Sequence, residues 1–144
     1  MAHADLDRLC GYCVKFARRM LQERGEVAPF AAAIRRGGAL VPVVLDSEEA
    51  DANAIAQQLT TGLQMLAKQQ QVNAVALCFD GLVSPEAEPR RKRSAIVVGL
   101  EHVNGESLNV FVTYRKRTLL GYSFDHWKAL PRTRSFFPED TTPA

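Results

Sequence analysis

The apolar patterning predicts an α+β domain. It runs helix, β-hairpin, helix, then an antiparallel meander of three or four strands, giving a central, mostly antiparallel sheet with helices packed on one face. Three observations carry this. Apolar residues recur every three or four positions over 5–24 and 48–71. Gly37-Gly38 and Asn104-Gly105 each separate two apolar runs of strand length. Residues 72–79 are apolar at nearly every position, as a strand buried on both faces must be. A chain of 144 residues is one domain's worth. We place that domain at 1–137, followed by a loose Pro/Thr-rich tail at 138–144.

The first helix, 5–24, sets Leu6, Leu9, Cys10, Cys13, Val14, Phe16, Ala17, Met20 and Leu21 on one stripe. Asp5 suits its positive end and Gly25 its stop. Strands 30–36 and 39–45 follow, joined by Gly37-Gly38 as a two-residue turn. That turn pairs Ile34 with Val41, Ala32 with Val43 and Phe30 with Leu45, and gathers all six on one face. Pro42 has no N–H to donate, so strand 39–45 is expected at an edge.

Acids at Asp46, Glu48 and Glu49 mark a second helix start, and 48–71 follows with Ala52, Ile55, Ala56, Leu59, Leu63, Leu66 and Ala67 on its apolar stripe. Gly62 within it is expected to mark a close helix–sheet contact. Strand 72–79 comes next, then a charged, Pro-containing surface loop at 84–93. Strands 94–103 and 107–115 form the second hairpin. An odd loop around Asn104-Gly105, setting Ile96 against Tyr114, Val98 against Val112 and Leu100 against Val110, gathers the apolar side chains on one face. A last strand is expected at 119–124, and a short helix or irregular cover at 125–137. This element order resembles the profilin-like layout used by roadblock and longin domains. The resemblance covers the order alone and brings no functional residues with it.

The composition excludes several classes. Hydrophobic residues at 47% and charged residues at 24% are those of a folded globular chain, not a collagen or a disordered segment. Eighteen basic against 16 acidic residues give a net charge of +2, too small to require an acidic partner. No apolar run reaches the ~18 residues of a membrane span, and we read no signal peptide or lipidation motif. Three cysteines, an odd and sparse number, fit free thiols in a reducing cytoplasm.

Cys10-Gly11-Tyr12-Cys13 has the C-x-x-C spacing of dithiol and half-zinc sites, which makes Cys10 and Cys13 the candidate metal ligands. The pair falls inside a helix, with only Cys78 left to complete a set, and the plainer reading is three small buried hydrophobes. His3, His102 and His126 fall in no metal motif and read as surface or capping residues. No phosphate-loop, dinucleotide or nucleophile-elbow motif is present, so no catalytic residue and no cofactor is assigned.

The clearest electrostatic feature is Arg90-Arg91-Lys92-Arg93 together with Arg115-Lys116-Arg117. The second hairpin brings both runs to one end of the sheet. They are candidates for binding anions or nucleic acid, with Arg132 and Arg134 as additions and Tyr114, Tyr122 and Trp127 as rings for stacking. Basic residues at a strand end also serve to keep a sheet edge from pairing.

Three functions follow. The first is a non-catalytic protein-interaction module, a homodimer or a partner-binding domain, because strands 30–36, 39–45 and 72–79 carry more apolar surface than one helix layer covers. The second is an anion or nucleic-acid binder at 90–93 and 115–117. The third is an enzyme whose site joins at least two of Cys10, Cys13, Cys78, His102 and His126 in one pocket.

Overall fold

The computed structural model describes residues 2–44, 51–84, 90–117, 119 and 121–138, with side chains from Ala4 onward. The expected helix start at 46–49, the side chain of His3 and the tail from 139 lie outside the described residues. The elements are α1 (Ala2–Arg24), β1 (Phe30–Arg35), β2 (Leu40–Val43), α2 (Ala52–Lys68), β3 (Val72–Val83), β4 (Arg93–His102), β5 (Ser107–Arg117), β6 (Gly121–Phe124) and β7 (Lys128–Pro131). All pairings are antiparallel, in the order β2-β1-β3-β4-β5-β6, and β7 pairs with β5. The α+β class and the meander are those the sequence predicts. No described helix is long and apolar enough to cross a membrane.

α1 buries the stripe read from its periodicity: Leu6, Leu9, Cys10, Cys13, Val14, Ala17, Met20 and Leu21. Phe16 is the exception. It is 40% exposed and its ring packs on Phe30 with centroids 4.9 Å apart. α2 begins at Asp51, whose carboxylate accepts the N–H of Ala54 at 3.1 Å. Leu59, Leu63 and Ala67 are its buried residues. Gly62 does not mark a close contact, since a Cβ there would meet no atom within 4 Å.

The pleat sorts the core into two layers, which refines the expected placement of the helices. Ala32, Ile34, Ala74, Ala76, Cys78, Ile96, Val98, Leu100, Val110 and Val112 pack under α1. Their neighbours Ala31, Ala33, Val72, Val75 and Leu77 pack under α2, with Phe136 and Phe137. Successive strand side chains point to opposite faces. Each helix therefore covers one face, and the apolar second face of β1 and β3 is buried by α2 of the same chain.

Both hairpins correct the expected registers. In the first, Ala31 faces Val43 and Ile34 faces Leu40, one residue off the pairing expected from a two-residue turn. The loop is instead three residues, 36–38. The Arg35 N–H donates to the Ala39 carbonyl and the Gly38 N–H to the Arg35 carbonyl, each at 2.8 Å. Gly38 closes it at φ +97°, a backbone state that favours glycine. A one-residue slip turns β2 over, so Leu40 joins the α1 layer and Val41 and Val43 the α2 layer. The expected Phe30–Leu45 pair falls outside the described residues. β2 is at the edge, as Pro42 requires.

The second hairpin repeats this loop. The His102 N–H donates to the Glu106 carbonyl at 2.9 Å and the Gly105 N–H to the His102 carbonyl at 3.0 Å, with Gly105 at φ +109°. The turn centres one residue earlier than expected, so Ile96 faces Val112, Val98 faces Val110 and Leu100 faces Leu108. The partners shift by two and the apolar face is kept. After β6, residues 128–131 form a strand rather than a short helix. Beyond it, 132–138 crosses to the α2 layer and buries Phe136 and Phe137.

Candidate anion-binding surface

Pairing of Ala95 with Thr113 carries the start of β4 and the end of β5 to one corner of the sheet. There Arg91, Lys92, Arg93, Ser94, Tyr114, Arg115 and Asp125 line a cavity of about 280 Å³. The two basic runs named from sequence are thus joined through four of their seven residues. Arg90 is exposed in the turn before β4 and is not in the lining. Lys116 and Arg117 lie farther along β5, opposite Tyr122 and Gly121. Two acids meet the patch, Asp125 in its lining and Asp80 at its Tyr114, and each accepts a hydroxyl. The Tyr114 hydroxyl donates to Asp80 at 2.7 Å, and the Thr113 hydroxyl donates to Asp125. Burial, then the hydrogen bond to Asp80, pushes the Tyr114 phenol above its ordinary pKa, which keeps it a neutral donor.

Arg132 and Arg134 are not part of this patch. Arg132 pairs with Glu101 at the opposite end of β4, eight residues from Arg93 and about 26 Å away at the rise of a strand. Its guanidinium lies over the Phe136 ring at 4.7 Å. Arg134 lies over Phe137 at 5.7 Å.

A larger groove, about 740 Å³, runs between α1 and the β6 edge. One wall is a ridge of α1 with Gly11, Val14, Lys15, Arg18, Arg19 and Gln22; the other is Tyr122, Phe124 and Trp127. Among the described residues no carboxylate lines it. The Arg18 guanidinium sits 4.3 Å above the Phe124 ring, a cation–π distance. Trp127 is 49% exposed. Tyr114 links the two cavities, because its ring packs against Tyr122 at 5.9 Å and Phe124 at 6.2 Å. Phe124 lines the groove and its chain neighbour Asp125 lines the patch.

The sequence marks Tyr114, Tyr122 and Trp127 as rings for stacking, whereas Lys15, Arg18 and Arg19 read only as the solvated face of a helix. Their signal is a run of cations at helical spacing. The aromatic wall opposite them belongs to β6 and the link after it, far along the chain, which no local pattern reveals.

The remaining candidates are apart from both cavities. Cys10, Cys13 and Cys78 are free and buried between α1 and the sheet. Desolvation by burial pushes the Cys10 and Cys13 thiols up to about 12 and Cys78 well above its usual value, so they are poor nucleophiles. Among the described residues no cluster of three His, Cys, Asp or Glu is arranged to hold a metal ion. His102 uses both ring nitrogens: Nδ1 accepts the Asn104 N–H at 3.1 Å, and Nε2 lies 3.0 Å from the Asp5 carboxylate. His126 is exposed and lines neither cavity.

No protein-family model, curated protein or solved structure matches this chain. The class defined by the fold is an α+β domain with one antiparallel sheet between two helices.

Proposed function

We propose that this domain binds phosphate-bearing polyanions, through Arg91, Lys92, Arg93 and Arg115. The observation that carries this reading is the convergence of these four cations, 22 to 24 residues apart between the two runs, on one cavity. Arginine forks suit phosphate oxygens, and several cations acting together release counterions from a polyanion. Arg90, Lys116 and Arg117 extend the positive field around the cavity. The interaction-module reading drew on an uncovered apolar sheet face, and α2 supplies that cover over β1 and β3.

The test is retention on immobilised heparin and on single-stranded RNA across a salt gradient. The wild type elutes late, with log affinity falling linearly in log salt. A variant with Arg90, Arg91, Lys92 and Arg93 all changed to Ser elutes much earlier, with a slope reduced by roughly 0.7–0.9 per lost phosphate contact. Unchanged retention of a folded variant rejects the site.

A further inference from the structure

We propose that the groove between α1 and β6 takes the unpaired bases of a single-stranded nucleic acid whose phosphates run over the patch at Arg91, Lys92, Arg93 and Arg115. The inference rests on the polyanion-binding reading and names the polyanion. Four features of the groove support it.

One wall is cationic and the other aromatic. Lys15, Arg18 and Arg19 face Tyr122, Phe124 and Trp127; no described carboxylate lines the space between, although Arg19 also pairs with Glu23 at 3.0 Å outside it. Single strands are bound by this pairing, since cations follow the backbone and rings stack on exposed bases. An acidic peptide would use the cations and leave the rings idle. A duplex would offer phosphates but keep its bases stacked inside.

The aromatic wall presents one exposed ring, Trp127, beside the half-buried Tyr122 and Phe124. Trp127 is 49% exposed. The Arg18 guanidinium carbon sits 4.3 Å over the Phe124 ring, and a guanidinium plane is itself a platform for a base. The groove is also open at its helical wall, where a Cβ on Gly11 would meet no atom within 4 Å. Finally, it adjoins the patch. Tyr114 lines the patch while its ring contacts Tyr122 and Phe124 of the groove. A strand leaving the cations at 91–93 reaches the aromatic wall over Tyr114, passing Asp125, whose carboxylate accepts the Thr113 hydroxyl.

Trp127 is the chain's one tryptophan, so its fluorescence reports on the groove alone. The full chain is titrated at low salt with a 12-residue oligothymidylate, a DNA duplex, inorganic polyphosphate and poly-glutamate. The single strand quenches the fluorescence, while duplex and polyphosphate bind without quenching. Read by the fluorescence anisotropy of an end-labelled oligothymidylate, Trp127→Ala weakens binding about tenfold, the loss of one base–aromatic stack. Gly11→Leu, which fills the groove with a better helix former, abolishes the quench while the circular dichroism stays that of the wild type. Salt-dependent retention without a quench, or oligothymidylate affinity unchanged in both variants, overturns the groove inference and leaves the patch standing. Equal quenching by poly-glutamate overturns it in favour of an acidic peptide. Failure to bind any polyanion at low salt overturns both readings.

Discussion

The carboxylate of Glu101 on β4, fully buried, accepts the backbone N–H of Phe136 at 3.0 Å. It also takes the N–H of Ser135 at 2.8 Å and of Phe137 at 3.1 Å, and pairs with Arg132. One acid thus satisfies three successive amides of the segment after β7 and seats Phe136 and Phe137 in the α2 layer. A buried charge compensated this fully is costly to disturb. Glu101→Gln is expected to destabilise the fold by about 3–5 kcal/mol, the usual loss when one partner of a buried pair is removed. Urea unfolding measures the loss, and limited proteolysis after residue 131 is faster in the variant.

Asp5 and His102 join the start of α1 to the second hairpin. Because Nδ1 accepts the Asn104 N–H, the neutral ring carries its proton on Nε2 and donates it to Asp5. Nitrogen-15 NMR of the imidazole is expected to show that tautomer. Asp5→Ala, which removes the acceptor, costs about 1–3 kcal/mol and shifts the ring signals without changing those of the β6 edge.

The three thiols give the fold an alkaline limit. Burial raises Cys10 and Cys13 from 9.0 to about 12. Between those values the unfolded chain loses protons that the folded chain keeps. The stability is therefore fully present below pH 9 and falls as pH rises from 9 toward 12. Denaturant midpoints across that range test the slope. A thiol-specific reagent at pH 8 labels the native protein far more slowly than the urea-unfolded chain, in which all three cysteines react.

Matching three-residue loops predict matching penalties. Gly38 and Gly105 stand at φ +97° and +109°, and Gly37 does not have a positive φ. Gly38→Ala and Gly105→Ala each cost about 1 kcal/mol or more in strain, whereas Gly37→Ala stays within about 0.5 kcal/mol of the wild type or slightly above it. Thermal unfolding of the three variants checks the order.

Whatever depends on a few consecutive residues is legible in the chain alone. The buried stripe of α1, the central strand at 72–79, the common face of Ile96, Val98 and Leu100, and the edge position of Pro42 all follow from periods of 3.6 and 2 and from proline's missing donor. Local pattern also brought the two basic runs to one corner. Tertiary structure decided the rest. Gly37-Gly38 permits either a two- or a three-residue loop, and the choice turns β2 over. The apolar faces of β1 and β3 required two covers, and only folding assigned one helix to each. Glu101, a charged residue within a strand pattern, found its partners 31 to 36 residues later. The groove pairs Lys15, Arg18 and Arg19 with rings near the other end of the chain. Periodicity states which side of an element is buried, because it is set by backbone geometry. Which side chains meet across that surface depends on register and layer order, which are properties of the whole packed sheet.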